Sequence, residues 1–203
     1  MDYFSGDQER KTQKAFAKKR LEVLKPLLVF LTDLKITANH VTWLGVCFLL
    51  SVAFIPATHY WLVGVFLCLY VLTDGIDGPL ARFQGNNHEG GSIVDIYADQ
   101  LGVVLLPIMA IYHLEISGLF ATAFTTGYLL FIVLALYQNS LNLFNRNFIR
   151  VKYPLYIIYF LSLVFQYTSV LKWFFAIFAV YYWVESHLSI LRIYRHFDRK
   201  PND

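Results

Sequence analysis

Charge is scarce in this chain: 15% of its 203 residues are Asp, Glu, Lys or Arg, against about 25% in ordinary soluble domains. That shortage, with 57% hydrophobic residues and a mean hydropathy of +0.50, excludes a water-soluble globule. Cysteine is limited to Cys47 and Cys68, each inside an apolar stretch. Neither a disulfide framework nor a cysteine metal site is therefore expected. No internal repeat or low-complexity tract divides the chain, and it has no Ser-His-acid arrangement or phosphate-cradling glycine loop. The first 35 residues carry eight Lys or Arg, so no short cleavable leader is visible and the chain is expected to be retained whole. A net charge of +3 does not point to nucleic acid here, because the cations gather at the ends of apolar segments, where lipid headgroups lie.

What the chain does have is length of apolar sequence. Six segments stand out, at about 40–57, 60–81, 92–113, 117–138, 154–168 and 170–191. They predict an all-α integral membrane protein with six transmembrane helices, preceded by an N-terminal amphipathic juxtamembrane helix. One membrane domain is expected over 1–203, with about 1–35 cytoplasmic or interfacial and about 36–195 a six-helix bundle. Six spans place both termini on one side, and this arrangement puts 16 of the 17 Lys and Arg on that side, leaving only Lys172. An excess of cations marks the cytoplasmic face. Before the first span, Leu21, Leu24, Leu28 and Leu31 recur at helical spacing beside Lys18, Lys19, Arg20 and Lys25. This pattern predicts a helix lying in the interface plane, bent at Pro26, with its basic residues facing headgroups.

Carboxylates are unexpected inside such segments, since each costs about 2.5–3.5 kcal/mol at mid-span on insertion scales. Asp74 and Asp77 nonetheless end the second segment, and Asp95 and Asp99 begin the third. Asp74, Asp77 and Gly78 share one helix face, and Gly91, Asp95 and Asp99 share another. A short connection lets the two faces meet, so four acids are expected to converge. Four ionised carboxylates balance two divalent cations, and an all-oxygen donor set favours Mg, Mn or Ca over Zn. Paired cations suit displacement at phosphorus. Gly78, Ala81 and Gly91 would leave bare backbone beside the acids for a bulky anionic ligand.

Residues 74–99 read DGIDGPLARFQGNNHEGGSIVDIYAD. They resemble the signature of the CDP-alcohol phosphotransferases, D-x2-D-G-x2-A-R-x8-G-x3-D-x3-D, with every fixed position filled by Asp74, Asp77, Gly78, Ala81, Arg82, Gly91, Asp95 and Asp99. A second similarity is ITANHVTWLG at 36–45, which matches a Pro-Asn-x-x-Thr segment of the family with Ala38 in the place of Pro. The resemblance implies transfer of a phosphate-linked group from a CDP-linked donor to a hydroxyl, with release of CMP. It implies Asp74, Asp77 and Asp95 as metal ligands and Asp99 as general base and further ligand. It implies nucleotide contact by Asp74, Gly78, Ala81, Arg82, Gly91, Asn39 and Thr42, and a homodimer.

The site at membrane depth suits CDP-diacylglycerol as donor and a small polar alcohol as acceptor. Arg146, Arg150, Lys152, Arg192 and Arg195 are candidates to hold a phosphorylated acceptor such as glycerol 3-phosphate or inositol phosphate. Relatives that use glycerol phosphate often carry Pro after the third acid and Lys after the fourth. Ile96 and Gln100 stand there, which leaves the acceptor open. Two other functions fit the same acids: transfer of phosphocholine or phosphoethanolamine from its CDP conjugate to diacylglycerol, and an ion or proton carrier.

Overall fold

The computed structural model describes residues 7–85, 89–141, 143 and 149–198, with side chains from Arg20 onward except that of Glu89. Among the described residues there is no β-strand, and every predicted apolar segment is helical. The chain forms two compact units, Met1–Leu105 and Leu106–Asp203.

The first unit contains α1 (Asp7–Asp33), α2 (Ala38–Val52), a 3-10 turn (Ala57–His59), α3 (Tyr60–Phe83) and most of α4 (Glu89–Leu114). The end of α1 is set by Lys35, whose φ of 57° is left-handed. Its N–H donates to the Thr32 carbonyl and the Ile36 N–H to that of Leu31, both at 2.9 Å, closing the helix in a Schellman pattern. Thr37 then caps α2: its hydroxyl accepts from the His40 N–H at 3.4 Å, while His40 Nδ1 accepts from the Thr37 N–H at 3.2 Å. This is a capping box with histidine in the usual acidic position. The two devices turn the chain from α1 into α2 in four residues. The first apolar segment is predicted to reach residue 57, but α2 stops at Val52. Pro56 explains the difference, because it disfavours helical backbone in the residue before it and has no N–H to extend a helix.

The apolar stripe of α1 is used inside the protein. Leu21, Leu24 and Leu31 surround a core of Leu28, Val41 and Leu80, together with Ile36, Ala38 and Ile76. Full burial of a leucine such as Leu28 or Leu80 contributes about 1.5–3 kcal/mol, so α1 is fastened to α2 and α3. A second stripe, Val23, Leu27 and Phe30, is exposed on the same helix, continued by Leu34 just past its end. Leu21, Leu24, Leu28 and Leu31 thus meet α2 and α3. The helix continues through Pro26. Elsewhere in this unit α2 and α3 pack closely at Gly45, where a Cβ would lie 2.5 Å from Thr73 Oγ1.

In the second unit, α5 (Gly118–Ser140) and α7 (Ser169–Asp198) share an aromatic core, and α6 (Lys152–Phe165) packs beside α7. Phe124 and Tyr128 meet Phe175 and Tyr182 with ring centroids 5.2 and 5.0 Å apart respectively. Polar ties at the same faces include Gln138 Nε2 donating to the Ser189 carbonyl at 3.0 Å and Tyr182 donating to that of Ile149 at 2.6 Å.

Among the described residues, four helical stretches are long and apolar enough to cross a membrane: Ala57–Phe83, Gly90–Leu114, Gly118–Ser140 and Ser169–Asp198. The chain is thus an integral membrane protein. α2 and α6, with 15 and 14 residues, are apolar but shorter than the roughly 20 residues that span the hydrocarbon core.

Candidate active site

The motif lies wholly within the first unit. α3 presents Asp74, Asp77 and Gly78, and α4 presents Gly91, Asp95 and Asp99. Two contacts hold α4 in place. The buried Tyr70, one turn before Asp74, donates its hydroxyl to the Ala98 carbonyl at 3.2 Å. Trp43 of α2 lies against Tyr97 with centroids 6.3 Å apart. Both contacts fall within the turn between Asp95 and Asp99.

Asp74, Asp95 and Asp99 each bring a carboxylate oxygen to within 4.8 Å of the other two. Hard divalent cations bind oxygen at about 2.0–2.6 Å, so ligands on one ion lie up to about 5 Å apart. The spacing and the all-oxygen set therefore fit such an ion. Asp74 and Asp99 are half-buried and Asp95 is exposed.

Asp77 is arranged differently from its three neighbours. It is buried, its Oδ1 accepts from the Gly78 N–H at 2.6 Å, and its Oδ2 accepts from the Thr42 hydroxyl at 2.7 Å. The predicted convergence of four acids is thus a group of three, with the fourth held beside them from α2. A carboxylate has about four lone-pair sites, so two hydrogen bonds leave Asp77 capacity for a ligand.

Gly78 presents open backbone toward two guanidinium groups. A Cβ built on it would meet Arg82 Nη1 and Nη2 at 3.6 and 3.7 Å and Arg20 Nη2 at 3.8 Å. Arg82 is exposed in the last turn of α3, while Ala81 and Gly91 are half-buried. Just beyond, Gln84 Nε2 donates to the Ile36 carbonyl at 2.8 Å and contacts Thr32 Oγ1 at 3.3 Å, tying the motif helix to the α1–α2 turn.

The other predicted residues lie on several elements. Asn39 is exposed in the first turn of α2, and Thr42 is buried with its hydroxyl on Asp77. Arg150 is exposed, Lys152 opens α6 with its ammonium 5.4 Å from the Tyr153 ring centroid, and Arg192 and Arg195 lie in the final turns of α7. All four belong to the second unit. Arg146 lies outside the described residues.

Sequence reasoning overlooked the hydroxyl of Thr42 on Asp77, the tie made by Gln84 and the inward turn of Arg20. Tyr70 was visible in principle, since it precedes Asp74 by four and Asp77 by seven residues and so shares their helix face. Arg20 also carried a signal, because it stands one turn before Leu24 on the packed stripe.

A helical membrane protein whose acids meet from two helices, beside guanidinium groups and bare backbone, has the parts of an enzyme of phosphate-ester transfer. The chain belongs to the CDP-alcohol phosphatidyltransferase family, which matches residues 35–191 and so spans both units. It is therefore a phosphotransferase of the membrane, from a family that moves a phosphatidyl group from a CDP-linked donor and uses divalent metals. No curated protein and no solved structure matches the chain.

Proposed function

We propose that this enzyme transfers the phosphatidyl group of CDP-diacylglycerol to the hydroxyl of a small polar alcohol, releasing CMP, in phospholipid synthesis. The observation that carries the reading is the group of Asp74, Asp95 and Asp99, whose oxygens lie within 4.8 Å of one another. With Asp77 beside them, these acids would hold two divalent cations, Mg or Mn, which supply charge neutralisation at the diphosphate and at the leaving oxygen. Asp99 accepts the proton of the acceptor hydroxyl as its oxygen bonds to the phosphorus that carries diacylglycerol. The bond from that phosphorus to the bridging oxygen breaks, and the electron pair leaves with CMP. Arg82 offers a fixed positive charge to the phosphates. Gly78, Ala81 and Gly91 let the nucleotide approach backbone, and Asn39 extends that surface from α2.

The acceptor side is assigned to Arg146, Arg150, Lys152, Arg192 and Arg195, whose charges suit a phosphorylated alcohol. The placement of 16 of 17 cations supports six spans, with α2 and α6 crossing with their flanks and both termini and the site cytoplasmic. The exposed stripe Val23, Leu27, Phe30 and Leu34 suits α1 to the membrane interface. The family match, continuous across both units, supports one catalytic domain, and family resemblance supports a homodimer. Purified protein given labelled CDP-diacylglycerol, magnesium and a panel of alcohols should release CMP with at least one acceptor. Absence of CMP with every acceptor would overturn the reading.

A further inference from the structure

We infer that Arg20, on the helix that precedes the family match, joins Arg82 in a two-guanidinium clamp on the diphosphate of the CDP-linked donor. The inference rests on the donor reading above. Both guanidinium groups reach to within 4 Å of one point over the bare backbone of Gly78, the residue after Asp77. Two guanidinium groups so placed can offer their N–H donors to the oxygens of one anionic ligand. A phosphate ester is the anion whose oxygens match the fork of a guanidinium.

Arg20 is built into this position. Leu21 and Leu24 pack against the core of Leu28, Val41 and Leu80, and Gln84 fastens the far end of α1 through Thr32 and Ile36. A merely headgroup-facing cation would project outward, as the exposed Lys25 does. The Arg20 Nε is instead buried and has no hydrogen-bond partner among the described residues. A buried N–H donor without a partner is rare in folded proteins, and a ligand oxygen is one way to satisfy it. Gly78 presents only backbone on the side that the two guanidinium groups reach.

The test uses the full-length protein in detergent without anionic lipid, with CDP, inorganic pyrophosphate and magnesium alone as three separate probes. Arg20→Gln should weaken CDP and pyrophosphate binding by about tenfold or more, the range of a lost charge-assisted contact. Arg20→Lys should restore part of that loss. Both variants should keep the wild-type thermal response to magnesium alone, because the acids remain in place. Wild-type CDP affinity in Arg20→Gln overturns the inference and leaves the donor reading intact. A defect that shows only in vesicles containing phosphatidylglycerol assigns Arg20 to a bystander headgroup and also overturns it. Loss of the magnesium response in both variants shows that Arg20 acts through the fold, a third refutation. Failure of the wild type to bind CDP would instead remove the donor reading itself.

Discussion

Replacing Thr42 by Val tests the arrangement around Asp77 with the least disturbance of shape. The hydroxyl donates to Asp77 Oδ2 at 2.7 Å, and both residues are buried. A hydrogen bond to a charged acceptor is worth about 1.5–3 kcal/mol, and an outer-shell partner of a ligand typically changes metal affinity by about 10–100-fold. The substitution exchanges a hydroxyl for a methyl, so no cavity opens. We expect Thr42→Val to raise the magnesium concentration for half-maximal CMP release by about tenfold or more. Thr42→Ser, which keeps the donor, should remain close to wild type. The assay is CMP release at saturating donor and acceptor across a magnesium titration, with thermal stability measured in parallel. An unchanged magnesium requirement in Thr42→Val would mean that the Asp77 carboxylate does not depend on α2 for its orientation.

Three further substitutions follow from the same geometry. Asp95→Asn removes one of three charges whose oxygens lie within 4.8 Å; each pairwise repulsion there is about 1–3 kcal/mol between bulk-water and protein-surface dielectric, with exposed Asp95 near the lower end. The magnesium-induced shift in melting temperature and turnover should both be lost, and a variant that keeps the magnesium-induced shift would contradict this. Tyr70→Phe deletes the 3.2 Å bond to the Ala98 carbonyl, so about 1 kcal/mol of stability should go together with a severalfold drop in turnover, whereas unchanged values would show that α4 is held without it. Gly45→Ala places a methyl 2.5 Å from Thr73 Oγ1 and 3.3 Å from its Cβ, an overpacking of about 1–3 kcal/mol that should lower the melting temperature in detergent.

The legible part of this protein was whatever repeats or clusters along the chain. Helical positions follow from apolar length, and the acids follow from periodicity, because spacing of three and four residues alone puts Asp74 with Asp77 and Asp95 with Asp99 on common faces. Long-range partners have no such arithmetic. Thr42 precedes Asp77 by 35 positions, and it is the packing of α2 on α3, close at Gly45, that brings the hydroxyl to the carboxylate. α1 was half legible: its stripe of leucines was visible, but apolar periodicity does not distinguish a face that meets lipid from one that meets protein. Arg20 shows the same limit. Its charge argued for headgroups, while its place on the packed stripe turned it toward Gly78.

The acceptor side offers a test that separates the two ends of the reaction. In the second unit, Gln138 Nε2 is committed to the Ser189 carbonyl, yet Gln138 Oε1, Ser189 Oγ and Arg192 Nη1 are buried without hydrogen-bond partners among the described residues. Ser189 and Arg192 are one helical turn apart on α7, so at least these two share a face. Buried polar atoms left unpaired cost about 1–3 kcal/mol each, more when charged, so a polar ligand or water at this place would be strongly favoured. If a phosphorylated alcohol is that ligand, Arg192→Gln should raise the KM for acceptor by about tenfold or more, while the KM for CDP-diacylglycerol and the response to magnesium remain near wild type. An Arg192→Gln enzyme whose donor and acceptor constants rise together would show that this cation supports the fold as a whole. Acceptor constants left unchanged would remove it from the acceptor site.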